Sequence, residues 1–193
     1  MKRLFLVIAL IVGPGTASIA RAQDHAEVGA FVNYFRLHET KTNFAGLGGR
    51  VAVNTHPNVQ IEAEMAYDFN QVFTETFTPS GTGTVTVVRS DIRVLHGVFG
   101  PKFQTTGPVR VFVTAKGGFI NFRFDPRPAT FDTFFSSVDT LRTDNVNAVF
   151  YPAAGVEAFI GPIGLRAEVG DEMYFIGGAH HNWRISFGPS IRF

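Results

Sequence analysis

From residue 59 to residue 69 the chain alternates. Val59, Ile61, Ala63, Met65, Tyr67 and Phe69 fall on one face, and Gln60, Glu62, Glu64, Ala66 and Asp68 on the other. A period of two held over that length is the signature of a β-strand with one apolar and one polar face. Residues 183–193 repeat the pattern, with Trp183, Ile185, Phe187, Pro189, Ile191 and Phe193 opposed to Arg184, Ser186, Gly188, Ser190 and Arg192. Residues 165–172 set Leu165, Ala167 and Val169 against Arg166, Glu168, Gly170 and Glu172. Residues 146–158 set Val146, Ala148, Phe150, Ala154, Val156 and Ala158 against Asn147, Tyr151, Gly155 and Glu157. Three further segments, 27–37, 44–53 and 109–122, have the length needed to cross lipid at a tilt. The segment 85–103 is the least regular. Its phase slips near Leu95 to Gly97, where a β-bulge is expected.

The connections alternate in length. Short turns fall at 54–58, 104–108 and 161–164, and longer polar links at 38–43, 70–83, 123–145 and 177–182. Eight strands with short turns at one end and longer loops at the other predict an all-β chain, an eight-stranded antiparallel up-and-down transmembrane β-barrel. Both termini then lie on the turn side, the periplasmic one. Pro101, Pro152 and Pro189 fall inside predicted strands. Each removes a ladder donor, so bulges or strand ends are expected there.

Composition adds location. Lys2 and Arg3, an apolar run from Leu4 to Val12, and the small-x-small site Ala20-Arg21-Ala22 predict a cleaved signal peptide over 1–22, leaving the barrel domain as 23–193. Cleavage removes three basic residues and no acidic one, so the formal charge falls from +1 to −2. That argues against a nucleic-acid binder, which needs a clustered basic surface. Cysteine is absent, which removes disulfides, thiolate metal sites, a cysteine nucleophile and a lipid-modified N-terminal cysteine. No apolar stretch after Ala22 is long enough for a transmembrane helix, so a membrane reading requires a closed barrel.

Alternation alone also fits a soluble barrel or a sandwich. The polar faces carry charge of both signs: Arg50, Glu62, Glu64, Arg110, Lys116, Glu157, Arg166, Glu168 and Arg184. In a membrane barrel they fill the lumen, because charge on the lipid face costs about 2–4 kcal/mol at the midplane. Tyr34, Phe44, Tyr67, Phe69, Phe119, Tyr174 and Trp183 fall near the loop ends of their strands, and Phe99 or Phe103, Phe159 and Phe193 near the turn ends. Two aromatic belts separated by aliphatic residues match a bilayer with two interfaces.

Gly46-Leu47-Gly48-Gly49-Arg50, Phe99-Gly100-Pro101, residues 165–171 (Leu-Arg-Ala-Glu-Val-Gly-Asp) and the run from Phe187-Gly188-Pro189 to Phe193 carry a resemblance. With them, nearly the whole of 23–193 resembles the small outer-membrane β-barrel domain family, the OmpA-type and OmpX-type barrels. The resemblance implies an outer-membrane location, lipid as surroundings and a monomer. It implies recognition of the last strand, ending in Phe193, by the barrel-assembly machinery.

No catalytic signature stands out and no cofactor is assigned. The charge set of Arg50, Glu62, Glu64, Lys116, Glu157, Arg166, Glu168 and Arg184 suits an ion path, but a structural network filling a narrow lumen is the favoured reading. His38 and Glu39 in the first loop, with His180 and His181 in the last, suit zinc or copper. Solvated loop histidines are the expectation, and no metal is assigned. Phe73, Phe77, Phe131, Phe134, Phe135 and Leu141 are read as packing on one another where strands run past the membrane. The expected function is non-enzymatic, a structural or interaction role in the envelope. A small passive porin-like channel is the runner-up. A lipid-modifying membrane enzyme using Ser136 or Ser137 comes third, and a soluble ligand carrier fourth.

Overall fold

A computed structural model describes residues 25–79, 86–125, 134–136, 141 and 146–193. The signal segment 1–22, Phe131 and Ser137 lie outside the described residues. Strands this amphipathic satisfy their backbone groups only by pairing with one another. They do so in chain order: β1 (Ala26–Leu37), β2 (Thr42–His56), β3 (Val59–Pro79), β4 (Thr86–Gln104), β5 (Val109–Asp125), β7 (Val146–Ile160), β8 (Ile163–Asp171) and β11 (Trp183–Arg192). Every pairing is antiparallel, and β1 with β11 closes the ring from Glu27↔Arg192 to Arg36↔Trp183. Closure pairs each of these eight strands, among the described residues, on both sides.

Short elements extend the loop end. β9 (Met173–Phe175) continues β8 after a break at Glu172 and pairs with β7, and β10 (Ala179–His180) folds back on β9. β6 (Phe134–Ser136) adds to the end of β3. The hairpin of β3 and β4 is longer than the alternation predicts, because residues 71–77 remain paired with β4, from Gln71↔Ile92 to Phe77↔Thr86, rather than opening into a loop.

Two local expectations are corrected. The bulge is on β3, not β4: between Asp68↔Val94 and Gln71↔Ile92, Phe69 and Asn70 stand opposite Arg93 alone. The register of β4 against β5 runs unbroken through Leu95 to Gly97. The prolines do not make bulges either. Ladders step across Pro101 from Phe99↔Gly117 to Lys102↔Thr114, and across Pro189 from Gly29↔Ser190 to Val32↔Phe187, in unchanged register. A strand residue donates to one neighbour only, so each proline loses one bond on one side. The Thr114 hydroxyl donates to the Pro101 carbonyl at 2.8 Å. Pro152 faces the break between β8 and β9, where Ala153 pairs with Gly170 and Phe150 with Met173.

Candidate functional site

The alternation sends the charged faces of β2, β3, β5, β7, β8 and β11 inward, where they meet. Arg166 stands at the centre. Its Nη1 donates to Glu157 Oε1 at 2.9 Å, its Nη2 to Glu62 Oε2 at 3.0 Å, and it also pairs with Glu168. Its guanidinium lies 4.1 Å from the centre of the Phe112 ring. Lys102 bridges Glu157 at 2.8 Å and Glu62 at 3.2 Å, and Lys116 bridges Glu62 and Glu64, each at 2.8 Å. Arg50 approaches Glu64 at 3.9 Å. Tyr151 donates to Glu168 at 2.9 Å. Above this layer Arg184 joins Glu172 at 3.1 Å, Glu64 at 3.4 Å and Asn33 at 3.0 Å.

His96, on β4, completes the set. Its Nδ1 lies 2.6 Å from Glu172 and its Nε2 2.9 Å from Asp68. A carboxylate on each side calls for a donor at each nitrogen, which the imidazolium alone supplies. Arg50, Lys102, Lys116, Arg166, Arg184 and His96 then oppose Glu62, Glu64, Asp68, Glu157, Glu168 and Glu172 one for one, all buried. Removing charge from water is repaid only by such close pairing.

The loop half of the interior is different. Phe35, Leu37, Phe44, Ile92, Val94, Val98, Ile120, Phe122, Phe124, Leu141, Val149, Tyr151 and Tyr174 form one buried apolar cluster inside the wall. Phe73 packs edge-on against Phe124 at 5.9 Å. At this height the outside of the wall carries Arg36, Arg93, Asn121 and Arg123. Lower down, the outside is apolar: Val32, Leu47, Val51, Met65, Phe99, Val111, Val113, Leu165, Ile185, Phe187 and Ile191 are all exposed. Polarity therefore inverts along β4 and β5 with no change in backbone phase. A contiguous exposed apolar belt belongs against hydrocarbon. Beyond the bilayer the same wall meets water and takes apolar residues inside.

No family model and no curated protein matches the sequence. The fold is matched by solved structures. Ail, the attachment invasion locus protein of Yersinia pestis, is 12% identical with a TM-score of 0.52, covering 89% of this chain and 99% of that one. Neisserial surface protein A is 11% identical with a TM-score of 0.54, covering 88% and 96%. OprG of Pseudomonas aeruginosa is 11% identical with a TM-score of 0.53, covering 89% and 97%. This chain has the fold of the small eight-stranded outer-membrane barrels. Identities this low carry the fold alone.

Within the barrel, the eight charged positions singled out from the sequence, Arg50, Glu62, Glu64, Lys116, Glu157, Arg166, Glu168 and Arg184, all lie in the interior. Tyr34, Tyr67, Phe69, Phe119, Trp183 and Phe193 are exposed on the outside. Tyr174 is not. It is buried in the apolar cluster, donates to Glu39 at 2.7 Å and stacks on His180, because Glu172 and Tyr174 continue the inward phase of Arg166 and Glu168. Phe175 takes the outward place. Phe44 and Phe159 likewise point inward.

Lys102, His96 and Asn182 escaped the alternation. Lys102 and His96 lie in the strand whose hydropathy inverts. Asn182 sits in a loop, yet it is buried and ties three segments. It accepts from the His38 amide at 3.0 Å, its amide donates to Asp171 at 3.1 Å, and its side chain donates to the carbonyls of Glu172 at 3.1 Å and His180 at 3.0 Å.

Interior glycines give the rings their places. A Cβ on Gly155 collides with the Phe112 ring and the Ala167 carbonyl oxygen. Phe112 is the ring under Arg166 and within 5.0 Å of Lys102. Gly155→Val is therefore expected to cost about 1–3 kcal/mol of stability by overpacking. A denaturant titration of the refolded barrel with an unchanged midpoint contradicts this placement.

Proposed function

We propose that the chain is an integral outer-membrane barrel with a sealed lumen, acting in envelope structure and surface contact rather than in transport or catalysis. The observation that carries this reading is the double closure of the lumen. A neutralised ion-pair layer spans the turn half and an apolar cluster spans the loop half. An ion crossing the barrel meets fixed partners already paired, then a region packed mainly with apolar side chains.

The alternation of short turns and longer loops supports an orientation with both termini in the periplasm. The signal segment 1–22 supports export and cleavage. The final strand ending in Phe193 supports handling by the barrel-assembly machinery, and a ring closed on itself supports a monomer in lipid. Two of the similar structures are named as an attachment invasion locus protein and a surface protein. That supports contact through the loop end.

Planar-bilayer recording separates this reading from the passive pore. The refolded protein, shown to be inserted by protease protection, is expected to give no unitary conductance in molar salt. Steady channels from such protein support the pore and reject the sealed barrel.

A further inference from the structure

We propose that the loop rim between β1 and β11 carries a binding site for a divalent transition metal of the zinc class. Pairing of β1 with β11 brings the first and last loops together, although they lie at opposite ends of the sequence. Between them lies a cleft lined by His38, Glu39, Asp171, His180, His181 and Asn182. Three imidazoles and the Glu39 carboxylate around one opening, with Asp171 behind His181, are the donor set that borderline metals select, and Mg²⁺ or Ca²⁺ do not.

The hydrogen bonds around these rings prepare them as ligands. His181 Nδ1 faces Asp171 Oδ2 at 2.5 Å, so the proton sits on Nδ1 and Nε2 is turned away from the carboxylate. A carboxylate holding the far nitrogen of an imidazole is the support that metal-binding histidines use to fix tautomer and raise basicity. His180 Nε2 lies 3.0 Å from the Ile176 carbonyl, which only accepts, so Nε2 carries hydrogen and Nδ1 holds the lone pair. The His180 ring is fixed by stacking on Tyr174 at 4.8 Å between centroids and 5° between planes. The same Tyr174 donates to one oxygen of Glu39 and leaves the other for a ligand. Asn182 anchors the backbone of His38 and the carboxylate of Asp171.

The rim is thus held by the buried Tyr174 and Asn182, with His181 tied to Asp171, while His38 is an exposed ring. In the structure the donor atoms are not gathered to coordination distance, so binding is completed by rotation of His38 and a shift of His181 with its bond to Asp171 kept. This goes beyond the sealed-barrel reading and does not depend on it.

The test is calorimetric titration of ZnCl₂ into the detergent-refolded protein, in a non-chelating buffer at neutral pH. Folding is confirmed separately by the heat-modifiable gel shift. One saturable site is expected. His38→Ala and His181→Ala are each expected to weaken it at least about 10-fold, and the double variant to abolish it. Asp171→Asn is expected to weaken it about 10–100-fold through the lost support. His56→Ala, at the opposite end of the barrel, leaves it unchanged. If either alanine variant loses the gel shift, His38→Asn and His181→Asn replace it. Folded protein that shows no saturable heat overturns the site. So does binding that survives the double variant, or that follows His56.

Discussion

Replacing Arg166 with alanine is expected to cost the folded barrel about 3–5 kcal/mol. The guanidinium contacts Glu62, Glu157 and Glu168 and caps the Phe112 ring, with no solvent near it. Its removal leaves three buried carboxylates with Lys102 and Lys116 as their nearest cations. The cost comes less from lost attraction than from carboxylates stranded where water does not reach. Arg166→Met with Glu62→Met is therefore expected to lose less than the two single changes together, since the double change removes one stranded charge along with its partner. The measurement is reversible urea unfolding in lipid vesicles, followed by tryptophan emission from Trp183, with the four proteins forming a double-mutant cycle. A single variant with the midpoint of the parent, or strictly additive losses, means that the network does not hold the barrel together.

Met65→Arg is expected to cost about 2–4 kcal/mol in the same assay, because the side chain faces hydrocarbon near mid-height. The control is Asn121→Arg. Asn121 also faces outward, but it lies where polarity has inverted, beside Arg93 and Arg123, and there the cost is about 0–1 kcal/mol. The contrast between the two positions maps the upper edge of the lipid belt. Equal small effects at both would place the whole outer face in water and overturn the membrane assignment.

These two positions also mark how far the sequence can be read. The strict strands, 59–69, 165–172 and 183–193, have side chains pointing as their alternation predicts, since polar and apolar residues there share one medium on each side of the wall. The lumen charges on those strands were legible for the same reason. The strand at 85–103 was not. Its apolar residues change from outward at Phe99 and Phe103 to inward at Ile92, Val94 and Val98. Read by hydropathy alone, that change imitates a bulge. The backbone continues without one. The same inversion hid His96 and Lys102, and it turned Phe44 and Tyr174 from belt residues into core. The rim cleft was legible only as two loops expected to be neighbours. Nothing in the spacing of His180 and His181 announces the carbonyl and carboxylate that hold their rings.

The sequence by itself determined the strand period, the number of crossings, the alternation of short and long connections and the charged content of one face. All of these are local consequences of where consecutive side chains point on a pleated chain. Only the tertiary structure decided which medium each height of the wall meets. It also decided which charges face one another across the lumen, and that His38 and Asn182, at opposite ends of the chain, share a hydrogen bond. Those depend on closure and tilt, and a period of two is the same whether water, lipid or another ring lies on the far side.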